Sequence, residues 1–198
     1  CRLMPLFLFL GNRIPVGVST VLAVRLWLAA IGICIAGASA TSTAAADETT
    51  LPPEAEAVLG RFVGQWETQA QIPAQQDSDQ AIELRGRGEA HWALGGRFVE
   101  FRTESTPPGQ SELQIMTYDE AAAVYRQWVF DSDGYTHESV GTWDPATTTL
   151  IWRGQNAAGP FVIDDHFVTP HRLEWGLHRR TASGEMIEII TGVVTKTD

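Results

Sequence analysis

The stretch AIELRGRGEAHWALGGRFVEFRTE, residues 81–104, decides the fold class of this chain. Up to Trp92, apolar or small residues alternate with charged ones, which is the period of two expected of a β-strand with one buried face. Gly95 and Gly96 then supply the positive φ angles that a tight reversal requires, and the alternation resumes at Phe98. The stretch therefore predicts a β-hairpin.

The rest of the chain repeats this pattern, and we predict ten strands with short, turn-rich connections. Besides the two strands of the hairpin, they cover residues 66–72, 112–118, 124–130, 135–143, 148–153, 161–168, 172–180 and 186–195. A short helix is predicted over residues 54–63, where apolar residues recur at helical spacing. Because no connection between strands is long enough for a parallel crossover, each strand is expected to pair with its predecessor. Closure into an antiparallel up-and-down barrel removes the exposed edges, so the predicted fold class is all-β.

The N-terminal part of the chain has the layout of a secretory signal. Arg25 precedes the apolar run 26–38, and small residues that suit cleavage follow, which places the predicted cleavage after Ala40 or Ala46. The alternative is a membrane anchor, but a helix over residues 26–38 would span only about 20 Å of a hydrocarbon layer roughly 30 Å thick. We therefore expect an exported protein, periplasmic or extracellular, that meets a membrane only if its leader stays uncleaved.

The predicted domain organisation follows from these two patterns. Residues 1–46 form the signal peptide and upstream leader, residues 47–53 form a linker rich in small and polar residues, and residues 54–198 form a single barrel domain. Both cysteines, Cys1 and Cys34, fall in the leader, which excludes disulfides, cysteine nucleophiles and thiolate metal sites from the barrel. The formal net charge of -10 repels phosphate backbones, so nucleic acid is not an expected partner. The sequence does not predict an oligomeric state.

Five short motifs occur in a fixed order along the predicted barrel. They are Gly64-Gln65-Trp66, LGGRF at residues 94–98, Tyr118-Asp119, WVFD at residues 128–131 and the segment 141–144. In order and spacing they resemble the bacterial "domain of unknown function 1579" family, over residues 54 to the C-terminus. The resemblance implies a calycin-like barrel, similar to lipocalins, fatty-acid-binding proteins and nitrobindin, that is ligand-sized, often exported and without an established activity. It implies no catalytic residues.

The resemblance also implies structural roles for Gly64, Trp66, Gly95 and Gly96. In lipocalin-like barrels, a Gly-x-Trp motif at the first strand places the indole at the closed end of the barrel, beneath a basic side chain from a late strand. In this chain, Arg179 or Lys196 would supply that cation, and the contact would be a cation–π interaction.

A barrel of ten strands is wider than one of eight, so its centre is expected to stay partly unfilled and to form a pocket. Aromatic and polar side chains in the strands are the candidates for lining it: Tyr118, Trp128, Asp131, Tyr135, His137 and Trp152. Packing in a filled core is the competing explanation for the aromatic residues. The leading functional hypothesis is a non-enzymatic binder of a small, largely apolar molecule. The alternatives are a haem-binding or isomerase-type enzyme that uses the same pocket, and a structural envelope protein with a filled barrel.

Metal and cofactor motifs are weak in this sequence, and no cofactor is predicted. The five histidines form no His-x-His or HExxH pair, so no zinc site is expected. A haem-binding barrel would need one histidine that faces an apolar cavity, and His166 and His178 are the candidates by position. The acidic run at residues 131–134 lacks the distal glutamate of a calcium loop, so we interpret it as a hairpin turn. Hydrolase and phosphate-binding motifs are absent from the sequence.

Overall fold

The structure, a computed structural model, describes residues 51–74, 80–106, 109–181 and 183–197. The predicted leader and its cleavage site lie outside these residues. The described part contains one helix followed by strands: α1 (Pro53–Leu59), β1 (Gly64–Ile72), β2 (Ile82–Ala93), β3 (Phe98–Thr106), β4 (Ser111–Asp119), β5 (Val124–Asp131), β6 (Thr136–Asp144), β7 (Thr149–Asn156), β8 (Gly159–Thr169), β9 (Arg172–Arg180) and β10 (Met186–Thr197). None of the helices described combines the length and the apolar character needed to cross a lipid bilayer.

The ten strands form a closed antiparallel barrel in which each strand pairs with its neighbours along the chain. The last strand pairs back onto the first, with Trp66 opposite Lys196, so no strand edge is left open. The all-β, up-and-down barrel predicted from the alternating pattern is confirmed. Closure satisfies the backbone groups of both terminal strands, which an open sheet would leave exposed.

The hairpin that decides the fold class has the expected turn. Ala93 pairs with Phe98, and the amide of Gly96 donates to the carbonyl of Ala93 at 3.1 Å. Gly95 and Gly96 have φ angles of 69° and 82°, as predicted for a reversal of this kind. Leu94 also has a positive φ, of 49°, which a leucine side chain tolerates poorly. Its side chain is fully outside the barrel, where no packing opposes this conformation.

The N-terminal boundary differs from the prediction in two respects. The helix ends at Leu59 rather than at residue 63, because the chain then tightens into turns in which Arg61 and Phe62 donate to the carbonyls three residues earlier. The predicted linker also reaches too far, since Pro53 already begins the helix and Leu51 is 3% exposed within the core. Burial of the Leu51 side chain fixes these last residues to the barrel.

The helix packs against one end of the barrel, which we call the helix end. Leu59, Met116 and Leu150 are fully buried there, together with the indole of Trp66. Trp66 donates from Nε1 to the carbonyl of Phe62 at 2.6 Å, which ties the first strand to the turn after the helix. The opposite end carries the connections β1–β2, β3–β4, β5–β6, β7–β8 and β9–β10, and we call it the open end.

Lys196 supplies the cation above Trp66. Its Nζ lies 4.8 Å from the centroid of the indole ring, whereas Arg179 lies toward the open end on β9. Partial burial in this contact lowers the pKa of the Lys196 ammonium. Of the two cations that the resemblance to lipocalin-like barrels left open, Lys196 is therefore the one over the indole.

Replacing this cation should weaken the helix end slightly. We expect Lys196→Met to lower the free energy of unfolding by about 0.5–1 kcal/mol, because the methionine keeps the apolar stem but loses the cation–π attraction. Urea unfolding measures the difference, and Lys196→Arg, which keeps a cation over the ring, is the control. Equal stability of the methionine and arginine variants would contradict a role for the charge.

Candidate functional site

The inner wall of the barrel changes character along its axis. Strand alternation turns every second side chain inward, and near the helix these inward residues are buried. Toward the open end Ile72, Val129 and Phe161 stay buried, but several other inward residues are half-buried: Thr68, Ala70, Leu84, Thr103, Ile163, Leu177 and Ile190. An inward side chain that solvent reaches must border open space. We call this region the open half of the lumen.

Inward glycines allow aromatic rings to lean across neighbouring strands. A Cβ added at Gly88 would lie 2.5 Å from Phe101, and one added at Gly141 would lie 2.6 Å from Trp152. The same close approach relates Gly154 to Phe161 and Gly192 to Trp175. Each ring therefore lies over the backbone of a neighbouring strand, in the place of the side chain that glycine lacks, and does not project toward the barrel axis. Rings in this position line the interior with aromatic surface and take up less of its centre than rings that point along the barrel radius.

A strip of polar side chains crosses the inner faces of β4, β5 and β6. Ser139 donates to Gln127 at 2.8 Å, Gln127 donates to Gln114 at 2.9 Å, and Gln114 donates to Glu112 at 2.7 Å. Ser139 and Gln127 are buried, so each needs the partner that the next strand supplies. Burial raises the pKa of the Glu112 carboxyl, and the nearby charge of Asp131 raises it further. The strip forms a polar wall beside the open half of the lumen.

His137 projects into the lumen from β6. Both of its ring nitrogens are buried, and neither has a hydrogen-bond partner within the described ranges. Its ring meets the edge of Phe161 with centroids 4.9 Å apart and lies 5.6 Å from the ring of Tyr135. Burial lowers the pKa of His137, so the imidazole is neutral at pH 7.

Arg179 projects inward from β9, directly opposite Phe161 on β8. Its Nε is buried and has no hydrogen-bond partner among the residues that the structure describes. Tyr135 lies near this guanidinium. Burial raises the pKa of the Tyr135 hydroxyl, a hydrogen bond from Asn156 and the charge of Arg179 lower it, and the charges of Asp131 and Glu112 raise it. One cation, two acids and one phenol therefore share the open end of the lumen.

Asp165 is a buried carboxyl deeper in the barrel. It accepts a hydrogen bond from Trp152 Nε1 at 2.8 Å and lies opposite Leu150 and Trp175 on the flanking strands. Burial raises the pKa of Asp165 to about 7, while the Trp152 hydrogen bond opposes that rise. Asp165 sits in the packed core, where it affects stability.

The structure separates the six predicted pocket residues into three groups. Asp131, Tyr135 and His137 come together at the open end. Tyr118 and Trp152 belong to the packed core; the Tyr118 ring lies 5.0 Å from that of Tyr125, and Trp152 is 0% exposed. Trp128 is a wrong assignment. The inward residues of β5 are Tyr125, Gln127 and Val129, so Trp128 faces outward and cannot line the lumen.

The two candidate haem ligands also face outward. Their strand β8 turns Phe161, Asp165 and Phe167 into the core, which places His166 on the other face; His178 pairs with the outward Val162. His178 Nε2 contacts Asp164 Oδ1 at 2.6 Å. All five histidines lie in the described ranges, and His137 is the one that faces the lumen. The described residues contain no group of three or more potential metal ligands.

The outer surface has concave regions of its own. A groove of about 660 Å³ crosses β8, β9, β10, β1 and β2, and it contains His166, His178, Glu174 and Arg85. A smaller depression of about 320 Å³ lies across β3, β4 and β5. Any binding experiment must therefore distinguish the lumen from the outer groove.

Sequence reasoning missed Arg179 as a lumen residue, along with Gln114, Gln127 and Ser139. Each of them alternates with outward neighbours on its strand. The alternation of residues along each strand shows which side chains share a face. It assigns them to the lumen only once the buried face of that strand is known.

Comparison with known proteins agrees with the fold. The family described as "Protein of unknown function (DUF1579)" matches residues 52–162 of this chain. The crystal structure of Rv2717c from M. tuberculosis is similar, with 14% sequence identity, a TM-score of 0.56 and coverage of 75% of this chain and 99% of that chain. The structure of the S-type phycobiliprotein lyase CPES from Guillardia theta matches with 12% identity, a TM-score of 0.47 and coverage of 72% and 92%. No curated protein matches the sequence.

Proposed function

This chain belongs to the DUF1579 family, a group of calycin-like barrels whose description names no activity, and we propose that it binds a small, largely apolar molecule in the open half of its lumen. The observation that carries the proposal is the half-exposure of inward apolar side chains. Ile163, Leu177 and Ile190 face the interior, do not line the outer groove and are only partly buried. Apolar surface in a concave, accessible space, beside a few polar groups, is the usual composition of a ligand site.

The same observation weighs against a purely structural barrel, because a filled interior would bury these side chains. The proposal includes export, which rests on the signal-like residues 1–46 and on the location of both cysteines within them.

A haem-binding barrel is the second candidate. It would use His137 as the axial ligand, because His166 and His178 face outward, whereas His137 faces inward and its ring nitrogens have no partner among the described residues. A Soret absorption band in the protein isolated from its host, lost in His137→Ala, would support this candidate over the first. A colourless protein that binds apolar molecules would support the first.

The binding site can be located with the uncharged fluorophore N-phenyl-1-naphthylamine. We expect saturable binding to the parent protein and at least a tenfold weaker affinity in Thr68→Trp, because the indole would fill space at an inward, half-buried position that does not line the outer groove. Fluorescence titration measures both affinities.

The control is Gln69→Trp, which changes the next residue of the same strand. Gln69 faces outward and lines the outer groove, so its replacement should leave probe binding unchanged. Loss of binding in Gln69→Trp with retention in Thr68→Trp would place the probe in the outer groove and overturn the proposal. Absence of binding to the parent protein would overturn it as well.

A further inference from the structure

Building on the proposed function, we propose that the ligand carries a single carboxylate, which Arg179 and His137 receive inside the lumen. The chemical class that follows is an amphipathic monocarboxylate with an apolar body. The two side chains come from strands that are not neighbours, β9 and β6, and the fold brings them to the same part of the inner wall.

The geometry of this pair depends on one ring and one glycine. Arg179 lies directly opposite Phe161, and His137 meets the edge of the same ring. Gly154 on the intervening strand β7 has no side chain, so the Phe161 ring leans across it toward β6. Arg179 and His137 therefore flank one aromatic ring, that of Phe161.

Both side chains have buried nitrogens that the described protein leaves without partners. A buried polar group with no partner is unfavourable, and native structures retain few of them. The guanidinium can only donate hydrogen bonds, whereas a neutral imidazole donates one and accepts one. A carboxylate would accept a hydrogen bond from each side chain, and its negative charge makes the stronger bond with arginine.

A structural role for Arg179 would predict an ion pair within the barrel. Arg126 shows that pattern on the outer face, with Asp119 at 2.8 Å and Glu138 at 3.1 Å. Arg179 forms no ion pair with any described residue, although the charges of Asp131 and Glu112 reach the same region. Its charge is available to a ligand.

The charges around the site favour a ligand with one negative charge over a phosphate with two. Asp131 and Glu112 share the open end with Arg179, so the repulsion between these two carboxylates and the ligand would be larger for a dianion than for a monoanion. A carboxylate carries one charge, and its two oxygens match one donor from Arg179 and one from neutral His137. Burial of Glu112 raises its pKa, which reduces the repulsion that a carboxylate ligand would experience.

Calorimetric titration with decanoate and decan-1-ol at pH 7.5 tests the inference, because the two probes differ only in the charged group. We expect the parent protein to bind decanoate roughly 10- to 100-fold more tightly than the alcohol. In Arg179→Met this preference should disappear, while the affinity for decan-1-ol stays as in the parent. Thermal unfolding of Arg179→Met should match that of the parent or exceed it, since the variant loses no protein partner.

Two further variants make the test specific. Arg180→Met removes the next arginine of the same strand, which is exposed and donates to the Gly184 carbonyl, and it should leave the preference unchanged. Glu112→Gln removes a like charge and should bind decanoate at least as tightly as the parent. Undiminished decanoate binding in Arg179→Met would overturn the inference.

The outcome also separates this inference from the function on which it rests. A parent protein that binds the acid and the alcohol equally would refute the carboxylate site and leave the apolar binding site in place. A parent protein that binds neither probe would refute both.

Discussion

Asp165→Asn should unfold at a higher urea concentration than the parent protein at pH 8, with a free energy of unfolding larger by roughly 2–4 kcal/mol. Asp165 is buried beside Leu150 and Trp175, and this burial raises its pKa from 3.8 to about 7. At pH 8 the folded protein therefore carries a buried carboxylate that the unfolded chain would hold in water. Asparagine keeps the oxygen that accepts the Trp152 hydrogen bond and carries no charge.

The pH dependence identifies the cause. Between pH 3.8 and about 7 the folded protein retains a proton on Asp165 that the unfolded chain releases, so this group lowers stability as the pH rises and has no further effect above about 7. Asp165→Asn lacks this dependence. Its advantage over the parent should grow by roughly 2–3 kcal/mol between pH 5 and pH 8. An advantage that is the same at both pH values would contradict the assignment.

Trp66→Ala should lower the free energy of unfolding by roughly 3–5 kcal/mol. The side chain is 2% exposed and fills the helix end. Its loss would leave a cavity between the helix and the barrel, remove the hydrogen bond to the Phe62 carbonyl and leave Lys196 without its ring. Urea or thermal unfolding measures the effect.

Matched controls separate this packing role from a general sensitivity of β1. Gln65→Ala changes the preceding residue, which faces solvent, and should leave stability within about 0.5 kcal/mol of the parent. Trp66→Phe keeps a ring but not the donor, so its loss of stability should be intermediate. If Trp66→Ala were no more destabilising than Gln65→Ala, the helix end would not be the closed, packed end of the barrel.

The barrel itself was predictable because its determinants are local. Alternation along residues 82–92, the Gly95-Gly96 reversal and the short connections each restrict the chain to antiparallel pairing, and closure follows from the cost of open edges. The helix length was less certain, since the residues after Gly60 keep helical spacing but form turns with hydrogen bonds three residues apart.

The candidate site was harder to predict because it depends on which face of each strand is buried. On β5, the outward set includes Trp128 and Phe130, whereas the inward set includes Gln127, so composition alone indicates the wrong face. Gln127 is acceptable inside only because Gln114 and Ser139, on the two flanking strands, provide its partners. Those partners are known only once the strand register is known.

On β8, in contrast to β5, the sequence already indicates the correct buried face. Phe161 and Phe167 share one face, so the alternation already places His166 on the other, and its outward position could have been predicted. The same reasoning applies to β9, where Leu173, Trp175 and Leu177 mark one face as apolar and the alternation places Arg179 on that face.

The central claim is that the open half of the lumen, and not the outer groove, receives a small molecule. Methyl NMR during a titration with decanoate tests it most directly, because inward and outward methyl groups lie on the same strands. We predict saturable shifts for the inward methyl groups of Ile163, Leu177 and Ile190, with those of the outward Val162 and Val193 unchanged. Shifts confined to Val162 and Val193, or no shifts in either set, would contradict the account.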